Sequence, residues 1–130
     1  MSVLGVGLDL VSIERVERLL EKGPERVLKR LLTESERSYC KSQPLPARHV
    51  AARLAAKEAA YKAFQVAEGA RGVGWLDTEV VRDGEGRPEL RFHGRALEAM
   101  QRLKVTAHVS ISHTNENAVA VVILSCDPQP

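Results

Sequence analysis

The sequence predicts an α+β protein of one domain, residues 1–130, in which a small, mainly antiparallel sheet packs with a long central helix and shorter helices. Three observations predict it. The chain reads as one strand, then several helices, then mostly strands, an order that favours segregated over alternating elements. Residues 47–64 are rich in alanine and other good helix formers. Asp83-Gly84-Glu85-Gly86 separates two strand-like runs and is a strong hairpin signal, which makes those strands antiparallel.

Taken in order, residues 3–10 read as a buried strand. Ser12 N-caps a helix that runs to about residue 22, with Gly23 as its stop. Pro24 suits the first turn of a second helix through Leu32. Thr33-Glu34-Ser35-Glu36 has the form of a capping box and opens a shorter third helix to about residue 42. Pro44 and Pro46 bracket a break before the long helix. Beyond it, Gly69, Gly72 and Gly74 mark a loop, and residues 76–82 and 88–92 are the hairpin strands. Gly94 precedes a short helix with Leu97, Met100 and Leu103 on one face. Residues 105–112 alternate as a strand, residues 119–124 read as a buried one, and His113-Thr114-Asn115-Glu116-Asn117 joins them. Residues 127–130 read as a frayed tail.

Composition narrows the function classes. With aromatics at 4%, alanine, valine and leucine must fill the interior. A net charge of +2 is too weak to argue for nucleic acid, yet it suits an acidic partner or a phosphate-rich ligand. Cys40 and Cys126 have neither metal-ligand spacing nor a disulfide framework, so a reducing cytoplasm is expected. The amino terminus lacks signal-peptide features, and the longest apolar run, residues 118–124, is far too short to span a bilayer.

Two distant acids carry the chemistry. Asp9 closes the apolar segment Gly5-Val6-Gly7-Leu8-Asp9, and Glu58 sits within the long helix. Magnesium is gripped by one or two carboxylates and completes its shell with water and substrate phosphates, so such a pair suits a metal that holds a pyrophosphate. Glu58 and Lys62 share a helix face, with Arg53 and Lys57 on a neighbouring one, so the helix offers three cations around one acid. On the strand 105–112, His108, Ser110 and Ser112 share one face, and Val109, Ile111 and His113 the other. In the first helix Arg15, Arg18 and Lys22 form a basic stripe bordered by Leu19, Glu14, Glu17 and Glu21 form an acidic one, and Ile13, Val16, Leu19 and Leu20 form the apolar face. Each feature has a plainer reading: Asp9 as a helix-entry acid, Glu58–Lys62 as a solvated ion pair, His113 as a strand-edge residue, the first helix as ordinary amphipathicity. Gly5-Val6-Gly7 is not a dinucleotide fingerprint, because Leu10 stands where its third glycine would fall and no βαβ pattern follows.

In combination, three segments resemble the holo-acyl-carrier-protein synthases, the short bacterial family of 4′-phosphopantetheinyl transferases. Gly5-Val6-Gly7-Leu8-Asp9 through Arg15 is similar to the family's opening motif, Arg53-Leu54-Ala55-Ala56-Lys57-Glu58-Ala59-Ala60-Tyr61-Lys62-Ala63 to its central signature, and Ser110-Ile111-Ser112-His113 to its third. Leu54 stands where the family often has phenylalanine and Gln65 where it often has glycine. The resemblance implies a 4′-phosphopantetheinyl transferase-like fold and transfer of the phosphopantetheine arm of coenzyme A to a serine of apo-acyl carrier protein, releasing adenosine 3′,5′-bisphosphate. It implies magnesium on Asp9 and Glu58, charge stabilisation by Lys62, and coenzyme A contacts from Arg53, Lys57, Lys62 and His113. Glu58, directly or through a metal-bound water, is also the candidate base for the serine proton. Arg15, with Arg18, Leu19 and Lys22, would dock the acidic carrier. A cytoplasmic homotrimer with its site between subunits is implied, with fatty-acid carriers the default partner. Rival readings of the same residues are a magnesium-dependent coenzyme A or nucleotide pyrophosphatase, and a non-catalytic trimeric module that binds coenzyme A.

Overall fold

A computed structural model of the chain describes residues 1–23, 25–67 and 71–127. Its elements are β1 (Ser2–Ser12), α1 (Ile13–Glu21), α2 (Glu25–Leu31), α3 (Glu34–Lys41), α4 (Pro46–Ala67), β2 (Thr78–Arg82), β3 (Pro88–Phe92), α5 (Gly94–Leu103), β4 (Thr106–His113) and β5 (Asn117–Cys126). The expectations for Pro24, for Gly69 and for the tail at residues 128–130 fall outside the described residues.

Local chemistry sets the helix boundaries. The Ser12 hydroxyl accepts the Arg15 amide at the start of α1, and Gly23, at φ +70°, follows its end. Thr33 and Glu36 form the reciprocal capping box of α3. Pro46 does not break the chain but is the first residue of α4, where a missing amide hydrogen costs nothing. Gln65 lies inside α4, which runs on through Ala67, so it does not form the helix exit.

The antiparallel pairing divides into two sheets. One has the strand order β1–β5–β4, and the other is the β2–β3 hairpin. The long helix α4 lies across the inner face of the first. Its small residues Ala55, Ala56, Ala59, Ala60 and Ala63 are all fully buried, together with Phe64, whose ring meets Phe92 of the hairpin edge-to-face. A second cluster joins α1, α2 and α3 to the start of α4 through Ile13, Val16, Leu28, Leu32, Cys40 and Val50.

The first strand is not the buried element its composition suggests. Only Gly5 and Gly7 face fully inward, while Val6, Leu8 and Leu10 are 48%, 60% and 62% exposed on the outer face. The reason is the closeness of α4. A methyl group on Gly7 would lie 1.8 Å from the Ala59 carbonyl oxygen, and one on Gly5 would lie 2.2 Å from that of Ala63. The strand and helix therefore touch backbone to backbone, which no larger residue permits.

Two smaller expectations change. β2 begins at Thr78, because Trp75–Asp77 forms a 3-10 turn pinned by the Gly74 amide donating to the Asp77 carboxylate at 2.9 Å. In α5 the inward face is Ala96 and Ala99, with Met100 and Leu103 partly covered, whereas Leu97 is 41% exposed. The alternation of β4 is as the sequence predicts, whereas β5, expected to be buried, turns the row Ala118, Ala120, Val122 and Leu124 inward and leaves Val119, Val121 and Ile123 only partly covered.

Candidate active site

The glycine-lined approach of β1 to α4 brings two acids together. Asp9 lies on the same face of β1 as Gly7, paired with Ala120 of β5. From α4, Lys62 donates to the Asp9 carboxylate at 3.0 Å and to the Leu8 carbonyl at 3.1 Å. Glu58, one helical turn earlier, is only partly exposed. Burial pushes its carboxyl above the ordinary range, the charge of Asp9 adds to that, and Lys62 opposes it. Two carboxylates and one ammonium thus share the boundary between core and solvent. Glu58 also lines a cavity of about 130 Å³, together with Lys57, Tyr61, Gly74 and Trp75 among others.

Lys57 and Arg53 do not present their charges to solvent along a helix face, as the helical spacing suggested; they are 3% and 4% exposed. Alanine flanks Arg53 and Lys57 along α4, so neighbouring elements close over these two long side chains. Lys57 donates to Glu36 at 2.8 Å, to the Trp75 carbonyl at 2.8 Å and to the Thr78 carbonyl at 2.7 Å, which uses all three of its hydrogens. Burial lowers its proton affinity, and Glu36 counters this. Glu36 also accepts the amides of Thr33 and Val80. This buried pair ties α3 and β2 to the cavity wall; removing one partner of such a pair costs about 3–5 kcal/mol.

Arg53 lies beyond the acids toward α3. Its guanidinium sits 4.4 Å from the Tyr39 ring centroid and donates to the His49 carbonyl at 3.3 Å, while its buried Nε has no hydrogen-bond partner. Arg82 lies over the same ring at 4.8 Å, and His49 meets it edge-on at 5.6 Å. Burial, and then the charges of Arg53, Arg82, His113 and Arg48, hold the His49 imidazole below its ordinary range. His113, at the end of β4, thus neighbours a cationic cluster of Arg48, Arg53 and Arg82, whereas His108 is turned to the Ser125 hydroxyl at 2.8 Å.

On α1, Arg15 and Arg18 are exposed, Leu19 is partly covered, and Lys22 caps the helix end. Arg18 pairs with Glu14 at 2.6 Å, an exposed contact that leaves the stripe accessible.

Sequence reasoning missed Glu36, Tyr39, His49, Trp75 and Arg82. Glu36 was legible as a cap and not as the partner of Lys57, because the two meet only through the tertiary packing of α3 on α4. Tyr39 could have been found as the aromatic one turn after Glu36, but nothing local marks Arg82, which the hairpin swings onto it.

The family model described as the 4′-phosphopantetheinyl transferase superfamily matches residues 5–122. A holo-acyl-carrier-protein synthase of Geobacter sulfurreducens is 44% identical over 124 residues, covering 94% of this chain and 97% of that one. A crystal structure of the holo-acyl-carrier-protein synthase of Bacillus anthracis in complex with CoA (3′,5′-ADP) superposes with a TM-score of 0.76 at 36% identity, covering 96% of this chain and 98% of that one. The Helicobacter pylori enzyme in complex with coenzyme A gives a TM-score of 0.77 at 31% identity, covering 92% and 99%.

Proposed function

The chain belongs to the 4′-phosphopantetheinyl transferase superfamily, and from that membership we propose that it moves the 4′-phosphopantetheine group of coenzyme A to a serine hydroxyl of an apo-acyl carrier protein. The observation that carries this reading is the meeting of Asp9, Glu58 and Lys62 from a strand and a mid-helix turn, with Glu58 lining a cavity. Such a reaction needs charge neutralisation and alignment at a pyrophosphate more than covalent help.

Magnesium fits this donor set. Among the described residues no group of three or more His, Cys, Asp or Glu gathers as a closed metal cage. Two carboxylates that crowd each other, one with raised proton affinity, instead suit a hard cation that takes its remaining ligands from phosphate and water. Asp9 and Glu58 would hold it, and when bound it neutralises charge on the pyrophosphate oxygens. Lys62, now paired with Asp9, is half exposed and free to reach phosphate charge as the leaving group departs. The serine oxygen bonds to the phosphorus of the pantetheine phosphate, the bond to the bridging oxygen breaks, and adenosine 3′,5′-bisphosphate leaves. Glu58 takes the serine proton. Arg53 and His113 bind coenzyme A from the cationic cluster, and Lys57 acts through the wall it holds at Trp75 and Thr78.

The exposed stripe of Arg15, Arg18 and Lys22, with Leu19 at its border, suits an acidic carrier protein, for which a fatty-acid carrier is the default. The uncovered outer row of Val6, Leu8 and Leu10 supports assembly into a homotrimer with the site between subunits. Two free cysteines support a cytoplasmic location, and among the described residues no helix is long and apolar enough to cross a membrane.

The test is incubation with apo-carrier protein, coenzyme A and magnesium, read by mass spectrometry. The carrier gains a phosphopantetheine arm, and Asp9→Ala and Glu58→Ala each lower the rate by at least about two orders of magnitude. Free phosphopantetheine without carrier modification would mean hydrolysis, and binding without turnover would mean a passive module. Near-wild-type rates in both variants would discard the metal assignment.

A further inference from the structure

The cations around Tyr39 pose a physical problem. Arg53 and Arg48 on α4, Arg82 at the end of β2 and His113 at the end of β4 all act on His49 with one sign. Arg53 is buried, yet its Nε has no partner. A buried donor left unpaired among like charges is costly unless a ligand supplies the missing acceptor. The structure also holds these groups without neutralising them. The Arg53 and Arg82 guanidinium carbons lie over the Tyr39 ring, 4.4 and 4.8 Å from its centroid, and His49 meets it edge-on. A guanidinium held over an aromatic ring keeps N–H donors for an anion, whereas a carboxylate partner would consume both the donors and the charge. Each arginine has a second anchor: Arg53 donates to the His49 carbonyl at 3.3 Å and Arg82 to the Gly86 carbonyl at 2.6 Å. Tyr39 in turn stands on α3, whose first turn is locked to β2 through Glu36 and the Val80 amide at 2.9 Å.

We propose that Tyr39 is a positioning residue that sets the Arg53 and Arg82 guanidiniums to read the 3′-phosphate monoester of coenzyme A, with Arg82 as a specificity-determining contact. This rests on coenzyme A being the substrate. A phosphate monoester fits because it is dianionic, has three equivalent acceptor oxygens and is matched by guanidinium forks. Tyr39 does not touch the reacting atoms; its ring governs how well that remote group is held, and so governs KM before kcat.

The experiment compares coenzyme A with 3′-dephospho-coenzyme A as donors to apo-carrier protein, using the full-length protein with magnesium. The wild type prefers coenzyme A. Tyr39→Leu lowers the ratio of kcat/KM values for the two donors by roughly tenfold, through the KM for coenzyme A, while dephospho-coenzyme A is used nearly as before. Tyr39→Phe keeps the ring and stays within roughly twofold of wild type, which is the rescue a ring-stacking role requires. Arg82→Gln, at an exposed position, shifts the ratio in the same direction without depending on α3 packing. Equal loss of both donors in Tyr39→Leu together with an unchanged ratio in Arg82→Gln would overturn the proposal, as would a Tyr39→Phe defect as large as that of Tyr39→Leu. A wild type that transfers from both donors equally well would overturn it and leave the transferase reading standing. A wild type that modifies the carrier from neither donor would overturn the transferase reading and this inference with it.

Discussion

Glu79 sits nearly buried on β2, where it accepts the hydroxyls of Thr33 at 2.6 Å and Ser35 at 2.7 Å and meets His93 at 3.1 Å. Burial alone would raise its carboxyl, but the hydrogen bonds from Thr33, Ser35 and His93, with the charge of His93, outweigh it and bring the value from 4.5 down to about 2. A group lowered on folding stabilises the native state fully above its unfolded value, and that contribution fades as pH falls through the folded one. The window here is therefore from 4.5 down to about 2. Glu79→Gln should cost about 3 kcal/mol at pH 7 by urea denaturation. The gap between variant and wild type should close as pH drops across that window. A gap independent of pH would assign the effect to shape and not to charge.

At the scale of elements, the packing of β1 on α4 makes the sharpest demand. Gly7→Ala drives a methyl group into the Ala59 carbonyl and should lower stability by about 3 kcal/mol, the upper end of ordinary overpacking. Gly84→Ala, where an added methyl meets nothing within 4 Å, should leave the melting temperature close to wild type. Equal melting temperatures for the two variants would mean that strand and helix separate easily. These elements were largely legible: Ser12, Gly23, the Thr33 capping box and the Asp83–Gly86 turn encode their boundaries through nearest-neighbour hydrogen bonding. What stayed hidden was which way each face points. Periodicity tells which residues share a face and not which face is covered, so the long side chains of α4 read as solvated, and β1, with glycines for its inner row, read as buried. The Asp9, Glu58 and Lys62 convergence was legible from the chemistry of two acids and from motif resemblance, not from local pattern, since the strand and the helix turn are far apart in sequence and meet by packing alone.

For the molecule as a whole, one sheet face is finished by α4 and the other carries Val6, Leu8 and Leu10 with no covering element among the described residues. Rows of that kind are stable in water when another copy seals them. Leu8→Asp places a charge in the middle of the row while leaving intact the backbone carbonyl that Lys62 uses. Light scattering after size exclusion should report a trimer for the wild type and a monomer for Leu8→Asp, with transferase activity falling alongside. A variant that remains trimeric would place the subunit contact on another surface.

The bare backbone contact at Gly5 and Gly7 has an evolutionary corollary. Asp9 rides on the same rail of chain and Glu58 on the opposing cylinder, so the gap between the two acids is gauged by the absence of side chains there. Drift in either segment alone would spread or jam that gap. Related sequences should therefore vary in the hairpin and the surface of α1 while the two segments stay matched, each holding the other to the smallest residues that chemistry offers.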